Sequence, residues 1–116
     1  MKIKVLKSKI HRAVVTDANL DYIGSIAIDE ALMRAANIYE YEKVHILNLT
    51  SGTRVETYVI KAPNNSKEIC INGGAAHLVS KGDMVIIVSY CQLNCTDAKK
   101  HKPTIIHVNE KNTIVS

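Results

Sequence analysis

Four small groups of residues carry groups able to do chemistry. Tyr22-Ile23-Gly24-Ser25 sets a Gly–Ser bond, with its hydroxyl, just ahead of a short apolar run. Arg54 and Tyr58 lie four apart in a strand-like segment, so a guanidinium and a phenol share one face while Thr57 points the other way. Asn72-Gly73-Gly74-Ala75-Ala76 offers closely approachable backbone N–H groups of the kind that hold a carboxylate or an oxyanion. Lys9 and His11 share a further strand face. Each group also has an ordinary reading: a Gly-Ser turn, a solvated strand face, an Asn-Gly-Gly turn, an exposed lysine beside a hydrogen-bonded histidine. No nucleophile stands at a diagnostic spacing from a base. The chain lacks a Gly-x-Ser-x-Gly elbow, a phosphate loop, a His-Glu-x-x-His pair and a dinucleotide fingerprint. Cys91 and Cys95 form only Cys-x3-Cys with no second pair, so no metal site is expected.

The elements that must position these residues are mostly strands. Lys2–Lys7 alternates charged and apolar residues, and Ile10–Thr16 is a β-branched run. Gly24 opens a short apolar strand through Ile28. Asp29 then reads as the N-cap of a two-turn helix that stops at Asn37. Lys43–Leu49 and Arg54–Lys61 read as a hairpin, and Pro63–Ser66 as a turn. Glu68–Asn72 is a short strand, followed by a loop at Gly73–Ala76 that starts a short helix. Lys81-Gly82-Asp83 is a turn, Met84–Tyr90 is a strand buried on both faces, and Thr104–Val108 is the last strand. Six or seven short strands with one small helix predict a compact β-barrel.

Length and charge set the outer limits. At 116 residues, 47% apolar and 22% charged, the chain suits one globular domain spanning 1–116 and excludes two. All five aromatic residues are tyrosines, so the core must be built from Val, Ile, Leu and Ala. No apolar run approaches the ~20 residues of a membrane helix, and residues 1–12 carry five positive charges without a signal-like stretch. A cytoplasmic protein with no membrane partner is the expectation, and three cysteines suit a reducing compartment. The net charge of +4 is concentrated at 1–12 and near Lys99, Lys100 and Lys102. Between residues 13 and 98, six basic residues face ten acidic ones, which does not describe a nucleic-acid-binding surface. The lysines of 1–7 read instead as the solvated face of an edge strand.

Several separated strings then fall into one register. Lys9-Ile10-His11-Arg12, Asn19 through Ser25, Ala27-Ile28-Asp29, Asn48 to Gly52, Arg54, Thr57-Tyr58, Asn72 through His77 and Gly82 through Ile87 together resemble the pyruvoyl-dependent aspartate 1-decarboxylases. The likeness runs without gaps to about Leu93. It implies a small double-psi β-barrel with one or two short helices, acting as a homotetramer with sites between neighbouring subunits. It also implies self-cleavage between Gly24 and Ser25, into a β chain of 1–24 and an α chain of 25–116, with a pyruvoyl group formed from Ser25 as the cofactor.

What this family does is decarboxylate L-aspartate to β-alanine and CO2 through a Schiff base on the pyruvoyl ketone, feeding pantothenate and coenzyme A synthesis. By the same resemblance Ser25 and Tyr58 are catalytic, Tyr58 reprotonating the α-carbon, and Thr57 assists cleavage. Arg54 clamps the retained carboxylate, and Thr57, Gly73, Gly74 and Ala75 complete the substrate contacts. Lys9, His11, Tyr22 and Asn72 line or border the site. The sequence departs from the common pattern at Gly74, where alanine is frequent, at Asp21, where histidine is frequent, and at Leu47, where tryptophan is frequent. Two rival readings need none of Ser25, Arg54 and Tyr58: a non-catalytic barrel serving as an interaction module, and a nucleic-acid-binding barrel with salt-dependent affinity.

Overall fold

The alternating segment at Lys2–Lys7 and the β-branched run from Ile10 join into one strand, β1 (Lys2–Val14), where the sequence suggested two. In a computed structural model describing residues 1–116, β1 stays continuous because two irregularities absorb its bend, between Leu6 and Ser8 and between Ile10 and Ala13. At the second, Arg12 takes a left-handed backbone with φ 68°. Ten further elements follow: β2 (Asp17–Asn19), β3 (Ser25–Asp29), α1 (Glu30–Ala36), β4 (Lys43–Asn48), β5 (Arg54–Ala62), β6 (Ile69–Asn72), a 3-10 turn (Gly73–His77), β7 (Met84–Asn94), α2 (Cys95–Ala98) and β8 (Thr104–His107). β2 and α2 have no counterpart in the sequence reading. Three residues are too few for a periodicity, and Asn94 caps α2 from within a polar stretch.

The sheet closes on itself. Its strands run in the order β2-β6-β3-β5-β4-β7-β1-β8. β1 passes into β2 after only Val15 and Thr16, whose N–H groups bond Asp83 and Ile69. The first and seventh strands of that order are therefore one stretch of chain, and the ring shuts as a six-stranded barrel with β8 alongside. Within the ring β2–β6 and β3–β5 are parallel, whereas the other pairings are antiparallel. This is the mainly β barrel expected, with two short helices and no helix long and apolar enough to cross a membrane.

The barrel is filled by a cluster of 19 buried residues, almost all Ile, Val, Leu and Ala, with Met33 the one addition. No tyrosine joins it. Tyr22, Tyr39, Tyr41, Tyr58 and Tyr90 are between 36% and 71% exposed, so each hydroxyl can reach water without a protein partner. Lys7 departs from the solvated face expected of it. Its ammonium bonds the Asn37 carbonyl, pairs with Glu42 at 3.0 Å and lies 4.9 Å from the Tyr39 ring centroid.

Two buried polar side chains tie the barrel's ends. Asp29 caps α1 through the Ala31 N–H at 2.8 Å, and its carboxylate also accepts from the N–H groups of Asn65 and Lys67. Replacing Asp29 by alanine leaves those donors without partners beneath a fully buried position. Chemical denaturation is expected to show a loss on the order of 3 kcal/mol. Asn112 serves the tail. Its amide accepts from Val14 N–H and donates to the carbonyls of Val14 and Lys67, which fastens the segment after β8 to the end of β1.

Candidate active site

Strand register brings most of the expected residues together. In β3–β6 pairing Ser25 faces Asn72, and in β2–β6 pairing Asn72 faces Asn19. The parallel β3–β5 register sets Ile26 against Val59, so one step back Ser25 is level with Tyr58, and two steps back Gly24 is level with Thr57. Because Ile26, Val59 and Ile71 all point into the core, their neighbours Ser25, Tyr58 and Asn72 point outward as one row. Thr57 faces inward with Val55 and Val59, as the alternation predicted.

Ser25 is only 2% exposed, yet it lines an open cleft of about 530 Å³ with Asp21, Tyr22, Ile23, Tyr58, Ile60 and Asn72. The Nδ2 of Asn72 donates to Ser25 Oγ at 3.1 Å, and Oγ lies 3.5 Å from the Ile23 carbonyl oxygen. Asn72 in turn accepts from the Cys70 thiol at 3.4 Å. Neither Cys70 nor Asn19 stood out in the sequence. The i, i+2 spacing from Asn72 was the available signal for Cys70, since alternate strand residues share a face. Asn19 Oδ1 accepts from the Asp21 N–H and so starts the turn that leads to Gly24.

Gly73 explains why a glycine follows Asn72. Its φ is +71°, and a Cβ there would stand 2.5 Å from Gly24 Cα, 2.6 Å from Gly24 N and 2.9 Å from the Tyr22 carbonyl oxygen. All three are backbone atoms and cannot swing aside. The chain at 22–24 is thus seated directly on Gly73. Gly74 is different: an added Cβ meets nothing within 4 Å, so the alanine frequent in the resembling family has room here. Ala75 is half-buried in the same turn.

Arg54 is not in this cleft. It lines a second one of about 550 Å³ with Lys4, Lys43, His45, Glu56, Tyr90, Cys91 and Gln92. There Glu56 is matched by Lys43 at 3.3 Å and His45 at 3.2 Å, whereas Arg54 has no ion pair within the chain. Its guanidinium is free to take a carboxylate. Lys9 and His11 lie on β1 apart from both clefts. His11 sits at the β1 bulge with its ring edge-on to His107, centroids 5.2 Å apart, and its Nδ1 is buried without a partner.

Burial holds the His11 pKa below its ordinary 6.5, and the positive charges of Lys9, His107 and Arg12 add to the effect. The unfolded chain therefore binds this proton first. Stability is unaffected above pH 6.5 and falls as pH drops from there towards the lowered folded value. Thermal midpoints at pH 7.5 and 5.5 (about one unit either side of that value) are expected to separate in the wild type. In His11→Gln the gap should be smaller, and an equal gap would remove His11 as its source.

Comparison with known proteins extends the geometry. Residues 1–115 match the family model described as aspartate decarboxylase. An aspartate 1-decarboxylase of Campylobacter fetus subsp. fetus (strain 82-40) is 58% identical over 114 residues, 98% of either chain. Proteins of the same name from Clostridium botulinum (strain Loch Maree / Type A3) and Caldicellulosiruptor bescii are each 57% identical, covering 98% and 99% of this chain and 90% of each relative. Among solved structures, the computationally designed msDPBB_sym2 protein aligns with a TM-score of 0.45 at 20% identity, over 73% of this chain and 96% of that one. A near full-length family match and identities of 57–58%, over a chain whose barrel register lines up Asn72, Ser25 and Tyr58, make it a member of the aspartate decarboxylase family.

Proposed function

We propose that this chain cuts itself between Gly24 and Ser25 and then decarboxylates L-aspartate to β-alanine and CO2. The observation that carries the reading is the outward row Asn72–Ser25–Tyr58 at the mouth of one cleft, in a chain that matches the aspartate decarboxylase family from end to end. Ser25 Oγ attacks the Gly24 carbonyl carbon, and the peptide nitrogen departs with a proton, so the amide becomes an ester. Glycine leaves room for that approach. β-Elimination across residue 25 then expels the Gly24 carboxylate with residues 1–24. It leaves a dehydroalanine, which water converts to a pyruvoyl group and ammonia. Thr57 is the residue that the family resemblance assigns to assist; the strand register carries it level with Gly24, with its side chain on the strand face opposite Tyr58.

The residues around Ser25 fit such a group. Asn72 is the side chain already bonded to the position, and Gly73 keeps the neighbouring backbone clear. The pyruvoyl ketone supplies an electron sink for the pair left behind when CO2 departs. Tyr58, in the same row, is positioned to return a proton to the α-carbon. Gly73, Gly74 and Ala75 hold the substrate through their backbone, with Tyr22 at the rim.

Arg54 supplies a bidentate clamp for the retained carboxylate, and its separate cleft on the same chain points to a neighbouring subunit as its route to Ser25. Five exposed tyrosines, together with exposed Leu20, Ile23 and Leu49, give the barrel the apolar surface an assembly buries. The reading is thus a homotetramer whose sites lie between subunits, with Lys9 and His11 completing the border from the second chain. Its free cysteines suit a cytoplasmic enzyme.

Co-expression tests this directly. Ser25→Ala and Arg54→Ala are each expected to be inactive alone. Mixed oligomers are expected to recover about a quarter of the wild-type sites, because some junctions pair an intact Ser25 with an intact Arg54. No recovery in isolated mixed oligomers would place both residues in one chain's site and overturn the shared arrangement.

A further inference from the structure

We infer that Cys70 is a positioning residue for the cleavage, its thiol donating to Asn72 Oδ1 and so fixing the amide with its NH2 turned toward Ser25 Oγ. The inference rests on the self-cleavage proposed above. It starts from an ambiguity in any asparagine: turning the amide over exchanges Oδ1 and Nδ2. Ser25 gives only a weak preference, because its one proton reaches the Ile23 carbonyl at 3.5 Å and leaves a lone pair for Asn72 Nδ2. A donor on the other side of the amide holds that orientation.

That neighbour is Cys70, two residues before Asn72 on β6 and on the same outward face. Its Sγ lies 3.4 Å from Oδ1. A thiol is a weak donor and a weak acceptor, and its proton on Oδ1 supports the orientation in which Nδ2 meets the Ser25 lone pair. Across the strands Cys70 faces Ala27 on β3, which offers no competing polar side chain, and Asp17 on β2. Burial raises the thiol pKa, and the charges of Asp17 and Glu68 raise it further, so the group keeps its proton through neutral pH.

The orientation matters to the chemistry. As Ser25 Oγ gives up its proton it gains negative charge. An N–H already 3.1 Å away stabilises that charge, whereas an amide oxygen in the same place would repel it. Cys70 never touches the reacting atoms and acts through Asn72.

The test follows cleavage of freshly translated full-length chain by intact-mass spectrometry, which needs no decarboxylase activity. Cys70→Val keeps the bulk and loses the donor, and is expected to cut roughly three- to tenfold more slowly. Cys70→Ser keeps a donor and should cut near the wild-type rate. As pH rises above 9.0 the wild type should slow as the thiol ionises, and Cys70→Ser should not. Wild-type speed in Cys70→Val, or equal slowing in Cys70→Ser, overturns the inference while leaving self-cleavage intact. A wild type that never cuts overturns both, and that control tells the two failures apart.

Discussion

Ser25→Ala is expected to leave the chain in one piece and to abolish release of CO2 from aspartate. The side chain removed is the only source of the oxygen that attacks Gly24, so no ester forms and nothing is eliminated. The loss should be total for cleavage and more than about 10⁴-fold for decarboxylation, the scale on which removing a covalent centre acts. Folding should survive. Position 25 is 2% exposed, and alanine fills most of the serine's volume on a strand whose ladder bonds are made by the backbone. The Asn72 donor and, more weakly, the Ile23 carbonyl lose a partner. Soluble, folded, uncut and inactive protein is the expected result, measured by denaturing gel and CO2 evolution. Activity persisting in that variant would defeat the pyruvoyl reading.

The second large effect belongs to a residue with no side chain. Gly73→Ala is expected to block cleavage or prevent folding, because the new methyl group would lie 2.5 Å from Gly24 Cα in a backbone with φ +71°. Either the segment 22–24 moves off its seat or the 3-10 turn does. A left-handed alanine alone costs roughly 1–2 kcal/mol, and the clash adds to it. Gly74→Ala makes the informative contrast, since its Cβ would meet nothing within 4 Å. It should fold as stably as the wild type or slightly better, by about 0.4–1 kcal/mol. Thermal midpoints and the fraction cut at 24 report both variants. Equal behaviour of the two would show that the seat beneath Gly24 does not matter.

Much of this was legible in the sequence, for identifiable reasons. The alternation over Arg54–Ala62 fixed which of Arg54, Thr57 and Tyr58 share a face, because strand periodicity is purely local. Asp29 announced α1 as an N-cap, and its bond to Ala31 N–H is the one such a cap makes. The apolar run from Met84 gave β7, whose buried part is Val85–Ser89.

What stayed hidden depends on distant parts of the chain. β1 looked like two strands because the irregularity between Leu6 and Ser8 interrupts its period, although β7 pairs with it on both sides of the break. The last twenty residues carry little periodicity. Beyond β8, the Asn112 amide fastens the tail, and its partners Val14 and Lys67 are remote in sequence. Spacing also gave Arg54 and Tyr58 one face without showing that they serve different clefts. Four residues along a strand are about 13 Å, which is too far for one small substrate to span within a single chain.

The family resemblance supplied the roles, and the barrel supplies reasons for several of them. Ser25 is buried yet opens to a cleft, Gly73 lies under the bond to be cut, and Arg54 has no ion pair within the chain. Those reasons converge on one bond. Intact-mass analysis of purified protein under denaturing conditions reads it out. The account predicts two pieces, residues 1–24 and 25–116, the larger without a free amino terminus. A single uncut chain that nevertheless decarboxylates aspartate would contradict it.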